Sequence, residues 1–162
     1  MPQEIERKFL LASDAWRSLV TRRRLMSQGY IATTGRVSVR VRVSDGEAWL
    51  NIKRGGLEPV RDEYEYSIPL DDARALLESA AEQSIVEKTR HWVPYAGVEW
   101  EIDEFHGQNE GLIVAEIELT DVQQRFVRPP WLGKEVTEQS RYYNVSLVRH
   151  PYAQWSNEEC HP

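Results

Sequence analysis

Along most of the chain apolar and charged residues alternate one for one. The alternation runs through Glu4–Leu11, Arg36–Val43, Ala48–Lys53, Arg61–Ile68, Ile85–Val93, Glu99–Phe105 and Leu112–Thr120. A period of two predicts β-strands with one apolar and one charged face. The surroundings of Tyr30 add an eighth strand. Turn residues separate these runs at Asp45-Gly46, Gly55-Gly56, Ala96-Gly97 and between Gly107 and Gly111. Links this short join antiparallel neighbours rather than crossovers, so the predicted sheet is mostly a meander.

Three stretches read as helix. Ser13–Val20 has Ser13 or Asp14 as its cap, Asp71–Ala81 carries Leu76 and Leu77 on its apolar face, and Thr137–Val148 is the third. The residues from Pro151 to Pro162 are polar and aperiodic and are expected to fray. With no internal repeat or linker, the pattern predicts one α+β domain over residues 1–150 and a polar tail over 151–162.

Side chains two apart on a strand share a face, which sorts the charges. Glu4, Glu6 and Lys8 oppose Ile5 and Phe9; Arg40 and Arg42 oppose Val39, Val41 and Val43; Lys53 opposes Ile52. Glu63 and Glu65 oppose Tyr64 and Tyr66, Lys88 and Arg90 share a face, Glu101 and Asp103 oppose Trp100 and Ile102, and Glu116 and Glu118 oppose Ile117 and Leu119. The ordinary meaning of such alternation is a sheet with one wet side. Here, however, nearly every strand carries a pair of like charges, and the pairs segregate into acidic and basic strands. Carboxylate pairs suit hard divalent cations, and Arg and Lys pairs suit a polyanion. Both fit the concave inside of a closed barrel. Like-charge pairs there would be strained, so removing one member, as in Glu116→Gln, is expected to leave stability unchanged or raise it.

The chain has 162 residues, 41% of them hydrophobic and 28% charged, a globular composition for one domain. No apolar run approaches the ~20 residues that cross a bilayer. With 26 acidic against 20 basic residues the formal net charge is −6, which argues against a general attraction to nucleic acid or anionic membrane. Residues 1–8 lack the apolar stretch of a secretory signal and Cys160 is the single cysteine, so no internal disulfide forms and a cytoplasmic location is expected. Trp16, Trp49, Trp92 and Trp100 are assigned to core packing, and His91, His106, His150 and His161 lack zinc-ligand spacing. Arg22-Arg23-Arg24 reads as the edge of a solvated loop.

The opening Glu4-Ile5-Glu6-Arg7-Lys8, read with the paired charges, resembles the E-x-E-x-K signature of the CYTH superfamily, the triphosphate tunnel metalloenzymes. The likeness continues through Val39-Arg40-Val41-Arg42, Leu50-Asn51-Ile52-Lys53, Arg61-Asp62-Glu63-Tyr64-Glu65-Tyr66 and Val86-Glu87-Lys88-Thr89-Arg90. It extends to Glu101-Ile102-Asp103, Ala115-Glu116-Ile117-Glu118 and Gly133-Lys134-Glu135-Val136-Thr137. The resemblance implies an α+β fold, an eight-stranded antiparallel β-barrel tunnel with a few flanking helices. It implies that Lys8, Arg40, Arg42, Lys53, Lys88, Arg90 and Arg141 bind phosphate. Glu4, Glu6, Glu116 and Glu118 would hold Mg²⁺ or Mn²⁺, and Glu63, Glu65 and Asp103 would position a second metal or the attacking water. The overall form is most like the small bacterial branch that hydrolyses inorganic triphosphate. The alternatives are hydrolysis of thiamine triphosphate or a nucleoside triphosphate, ATP cyclisation as in class IV adenylyl cyclases, and non-catalytic polyphosphate binding. Against the last, a pure anion binder gains nothing from carboxylate pairs. The chain departs from relatives at Gln139-Ser140, where an acid and a base often precede the arginine. The expected partner is a small-molecule triphosphate, with no nucleic acid or membrane and a homodimer as the candidate assembly.

Overall fold

Antiparallel pairing joins every neighbouring pair of strands in the computed structural model, which describes residues 3–56, 58–80 and 85–161. The strands among them are β1 (Gln3–Leu11), β2 (Arg22–Thr33), β3 (Val37–Ser44), β4 (Glu47–Arg54), β5 (Val60–Ser67), β6 (Ile85–Tyr95), β7 (Val98–Phe105), β8 (Ile113–Leu119) and β9 (Leu132–Glu135). The helices are α1 (Leu70–Ser79), α2 (Asn144–Arg149) and α3 (Asn157–Cys160). Their spatial order is β5-β4-β3-β2-β6-β7-β8-β1-β9, and a further β5–β1 pairing closes the first eight into the expected barrel.

Closure rests on a short seam, in which Gln3, Glu4 and Ile5 of β1 face Asp62, Arg61 and Val60 of β5. Past that seam the same edge of β1 passes to β9, through Phe9–Glu135 and Leu11–Leu132. Between the two, the Lys8 N–H donates to Thr137 Oγ1 (3.0 Å) and the Val136 N–H donates to the Lys8 carbonyl (2.8 Å). No β1 edge is left as an open template in this stretch. Two hairpins turn on residues with positive φ, Asp45 (50°) with Gly46 (79°) and Ala96 (48°) with Gly97 (82°). Such two-residue turns match the right-handed twist of the strands they join.

Most apolar strand faces point outward, so two of the three hydrophobic clusters lie around the barrel rather than inside it. Phe9, Trp100, Ile102, Ala115 and Ile117 pack under Trp16 and Trp131. On another side α1 covers Val41 and Ala48 with Ala73, Leu76 and Leu77. Gly29 allows that helix to approach β2, since a Cβ there would stand 2.7 Å from Leu77 Cδ2. A third cluster joins Val86, Phe105 and Val114 to Val136, Tyr142, Leu147 and Trp155. By strand parity these three share the inward rows of Lys88, Asp103 and Glu116, so the C-terminal segment packs against an apolar part of the interior.

The structure differs from the sequence pattern at several elements. The Ser13–Val20 helix is a single 3₁₀ turn, Ala15–Leu19, and Asp14 makes no capping bond. Thr137–Val148 divides into a 3₁₀ turn at Ser140–Tyr142 and the six-residue α2. Tyr143 is extended between them (φ −80°, ψ 140°), with its hydroxyl donating to the Thr137 carbonyl at 2.8 Å. The helix expected to end at Ala81 begins at Leu70 and is described to Ser79; Ala81 itself lies outside the described residues. Arg22-Arg23-Arg24 open β2 instead of edging a loop, and Arg22 stacks 4.0 Å over Trp92.

The segment expected to fray is anchored. Ser156 and Glu159 form a reciprocal capping box on α3, and the buried Trp155 ring lies edge-on to Tyr142 (5.1 Å) and Tyr152 (5.0 Å). Among the described residues no helix is long and apolar enough to cross a membrane. Burial of Trp155 predicts that Trp155→Ala destabilises the fold by about 3 kcal/mol in a denaturant melt. A loss below about 0.5 kcal/mol, the scale of an ordinary surface change, would mean that the segment merely lies on the barrel.

Candidate active site

The inward rows of the barrel enclose a cavity of about 820 Å³. Lys8, Arg40, Arg42, Lys53, Arg61, Lys88 and Arg90 line it together with Glu4, Glu6, Glu63, Glu65, Glu101, Glu116 and Glu118. Asp103, fully buried, stands behind Lys88 and Arg90. Arg36 and Arg149 also line the cavity, so cations and carboxylates are nearly balanced around it.

Strand register arranges these charges. The basic rows of β4, β3 and β6 lie on one arc of the barrel and the acidic rows of β7, β8, β1 and β5 on the other. Unlike groups therefore face each other where the arcs meet, Arg90 opposite Asp103 and Lys53 opposite Glu63, while Lys8 stands opposite Glu116 within the acidic arc. Directly opposed side chains are close enough to pair. Lys8 Nζ lies 2.5 Å from Glu116 and 2.7 Å from Glu6; Lys53 Nζ lies 2.8 Å from Glu4 and 3.7 Å from Glu63. Arg61 reaches Glu4 at 3.1 Å, Arg42 reaches Glu65 at 2.9 Å, and Asn51 donates to both Glu63 and Glu65. Arg90 is bidentate to Asp103 (2.7 and 2.8 Å) and also contacts Glu116 and Glu101. Like charges meet at Glu6–Glu118 and Glu101–Glu116.

Two buried lysines, each 2.5 Å from a carboxylate, respond in opposite ways. Burial lowers the pKa of both. For Lys8 the carboxylates of Glu116 and Glu6 outweigh burial and the pKa rises above the ordinary lysine range. Lys88 shares its carboxylate with Arg90, and burial with that second cation lowers it to about 8. The carboxylates divide similarly. Burial would raise Glu116 and Asp103, but the neighbouring Lys and Arg cations hold both low. Glu118 is raised by partial burial and by the nearby charges of Glu4, Glu101, Glu63 and Glu6.

This pairing overturns the expectation for Glu116→Gln. Glu116 is not one half of a strained acidic pair but the shared counter-ion of Lys8 and Arg90, and its removal strands buried cations. Glu118 is the strained carboxylate. Glu101 pairs with Arg90 and accepts from Trp92 Nε1.

Of the phosphate-binding candidates, Lys8, Arg40, Arg42, Lys53, Lys88 and Arg90 come together. Arg141 does not join them: its guanidinium lies over Tyr142 (5.2 Å) and Trp155 (5.5 Å) and donates to Gln139 at 2.8 Å. Sequence reasoning missed Arg61 and Tyr143. Arg61 shares the inward row of Glu63 and Glu65, so strand parity contained the signal. The Tyr143 ring lies beneath Lys8 (4.9 Å) and Arg61 (5.3 Å), brought there by a segment with no strand period.

Among the described residues no three His, Cys, Asp or Glu side chains converge as a ready-made metal set. The donor chemistry still suits a hard cation, because Glu118 makes no ion pair among the described residues and the neighbouring charges that raise its pKa are all carboxylates, those of Glu4, Glu101, Glu63 and Glu6.

A closed antiparallel barrel with cations and carboxylates turned inward defines the class of anion-binding tunnel proteins. The chain belongs to the CYTH domain family, whose model matches residues 2–152. It is 45% identical over 152 residues to a protein of Acetivibrio thermocellus named inorganic triphosphatase, covering 94% of this chain and 97% of that one. A Nitrosomonas europaea protein of the same name is 39% identical over 152 residues, covering 90% and 96%. A crystal structure of an inorganic triphosphatase superposes with a TM-score of 0.67 at 34% identity, covering 91% of this chain and 95% of that one.

Two substitutions one inward position apart should act with opposite sign. Glu116→Gln should cost about 3–5 kcal/mol at neutral pH, as removal of one partner from a buried pair does. Its low native pKa makes this stabilisation present above the ordinary carboxylate pKa and lost on acidification. Glu118→Gln should raise the melting temperature at neutral pH and low salt. Because the Glu118 pKa is raised, that gain should fade as pH falls through its native pKa toward 4.5. Thermal melts of both variants between pH 4 and 8 test this, and shifts of the same sign at neutral pH would refute the assignment. A separate NMR titration of the Lys88 side chain should give a midpoint near 8 in the ligand-free protein.

Proposed function

We propose that this protein hydrolyses inorganic triphosphate to pyrophosphate and orthophosphate with Mg²⁺ or Mn²⁺, in the cytoplasm. The carrying observation is the set of buried guanidinium donors around the chamber: Nε of Arg40, Arg42 and Arg61 have no hydrogen-bond partner among the described residues. Buried donors without acceptors are destabilising unless a ligand satisfies them, and phosphate oxygens are their natural complement. Kinship at 45% identity with a protein named inorganic triphosphatase favours this substrate over organic triphosphates that the same grip could hold.

In this reading Arg40, Arg42, Arg61 and Arg90 bind the phosphate oxygens, with Lys8, Lys53 and Lys88 as point charges. Asp103 positions Lys88 and Arg90 from behind. Glu63 and Glu65, held by the Asn51 amide, orient the attacking water. Anion entry favours the protonated form of Lys88, which then balances charge on the departing phosphate. Glu4, Glu6, Glu116 and Glu118 would hold a divalent ion. When bound, that ion would neutralise phosphate charge beside these carboxylates.

Phosphate release from tripolyphosphate should require Mg²⁺ or Mn²⁺ and cease in excess chelator. Arg40→Ala should lower kcat/KM by about tenfold or more, given the worth of a charged hydrogen bond, whereas Glu65→Gln should act mainly on kcat. Full turnover in chelator, or wild-type kinetics in both variants, would sink the proposal.

A further inference from the structure

The inward row of β3 does not stop inside the chamber. Arg42, Arg40 and Ser38 occupy successive positions of that row, and Arg36, immediately before the strand, is the next. All four line the cavity. At a rise of ~3.3 Å per residue, Arg36 is about 13 Å from Arg40 along the chain, which carries the row to the rim. There the β2–β3 turn is held by the Thr34 side chain, which accepts from the Arg36 and Val37 N–H groups. The Gly55 N–H fixes the Arg36 carbonyl at 3.0 Å.

Arg149 reaches the same rim from the last turn of α2, donating to Thr33 Oγ1 at 3.2 Å. Among the described residues neither Arg36 nor Arg149 makes an ion pair, whereas Arg42, Arg61 and Arg90 deeper in the chamber all do. The charge balance therefore changes along the cavity. Inside, the arginines are paired with carboxylates, whereas at this end of the cavity the exposed Arg36 and Arg149 have no carboxylate partner among the described residues.

We propose that Arg36 and Arg149 form an outer anion subsite, which takes the fourth phosphoryl group of a linear polyphosphate whose first three occupy the chamber. This rests on the triphosphate reading of the chamber. Both arginines are long enough to hold an anion at the rim while the β3 row holds the inner phosphates. Being exposed, they contribute a screened interaction that adds to affinity more than to chemistry.

The test compares linear tripolyphosphate with linear tetrapolyphosphate on the wild type and on the double variant Arg36→Gln/Arg149→Gln, with Mg²⁺. The variant should keep its kcat/KM for tripolyphosphate within about twofold. For tetrapolyphosphate kcat/KM should fall about five- to tenfold, through KM, and the fall should shrink as salt is raised. Equal losses on both substrates, or no loss on either, would overturn the subsite. So would a wild type that hydrolyses tripolyphosphate but neither binds nor hydrolyses tetrapolyphosphate, and that result would leave the chamber reading standing. Calorimetry finding no binding of tripolyphosphate with Mg²⁺ would remove both.

Discussion

A charge taken out of water must meet an opposite charge or revert to its neutral form, and everything inside this barrel follows from that constraint. Lys8 and Glu116 face each other directly across β1 and β8 at 2.5 Å, each less than a tenth exposed. Had the register slipped by one residue, both would point into the surrounding hydrophobic core and Phe9 and Ile117 into the chamber. The electrostatics of the inward face and the packing of the outward face thus demand the same register. Agreement between levels of this kind is what lets a sheet of mainly non-local pairings settle on one arrangement.

The segregation of core from chamber has an energetic side. Trp16, Trp100 and Trp131 are buried outside the barrel wall, where edge-to-face contacts such as Trp100–Trp131 at 5.7 Å reinforce area burial. The inward face gives up that contribution and holds groups that are mutually neutralised yet incompletely satisfied, such as Nε of Arg40 and Arg42. Stability is supplied by one face of each strand and reactivity by the other. A site poised to receive an anion tolerates such loose ends because its ligand removes them.

Much of this was legible in the residues themselves. Strict alternation located the strands, and parity put Lys8, Arg40, Arg42, Lys53, Lys88 and Arg90 on one face. What alternation cannot convey is which strand stands beside which. The order β6-β7-β8-β1 decides that Glu116 meets Lys8 and Arg90, while Glu118 has acidic neighbours. That is why two carboxylates of one pair behave oppositely. Arg61 was obscured by the acidic residues of its own strand. The C-terminal segment was misread because the pull on Tyr142 and Tyr143 is tertiary: one packs on Trp155 and the other bonds Thr137, which breaks the helix that local propensity favours.

The position of β1 bears on how the chain comes off the ribosome. Its staves are β5 through three residues, then β8 and β9, so the first strand made finds its main partners only after residue 113 and its last after residue 132. The hairpins β3–β4 and β6–β7 can form as they emerge, but the ring cannot shut until most of the polypeptide exists. For that interval the part of the E-x-E-x-K strand beyond its three-residue β5 seam is without its β8 and β9 neighbours, with Phe9 uncovered on one side and its charges on the other. The inward-facing charges then serve a second purpose, keeping a waiting strand soluble and unattractive to its own kind until its proper neighbour is synthesised.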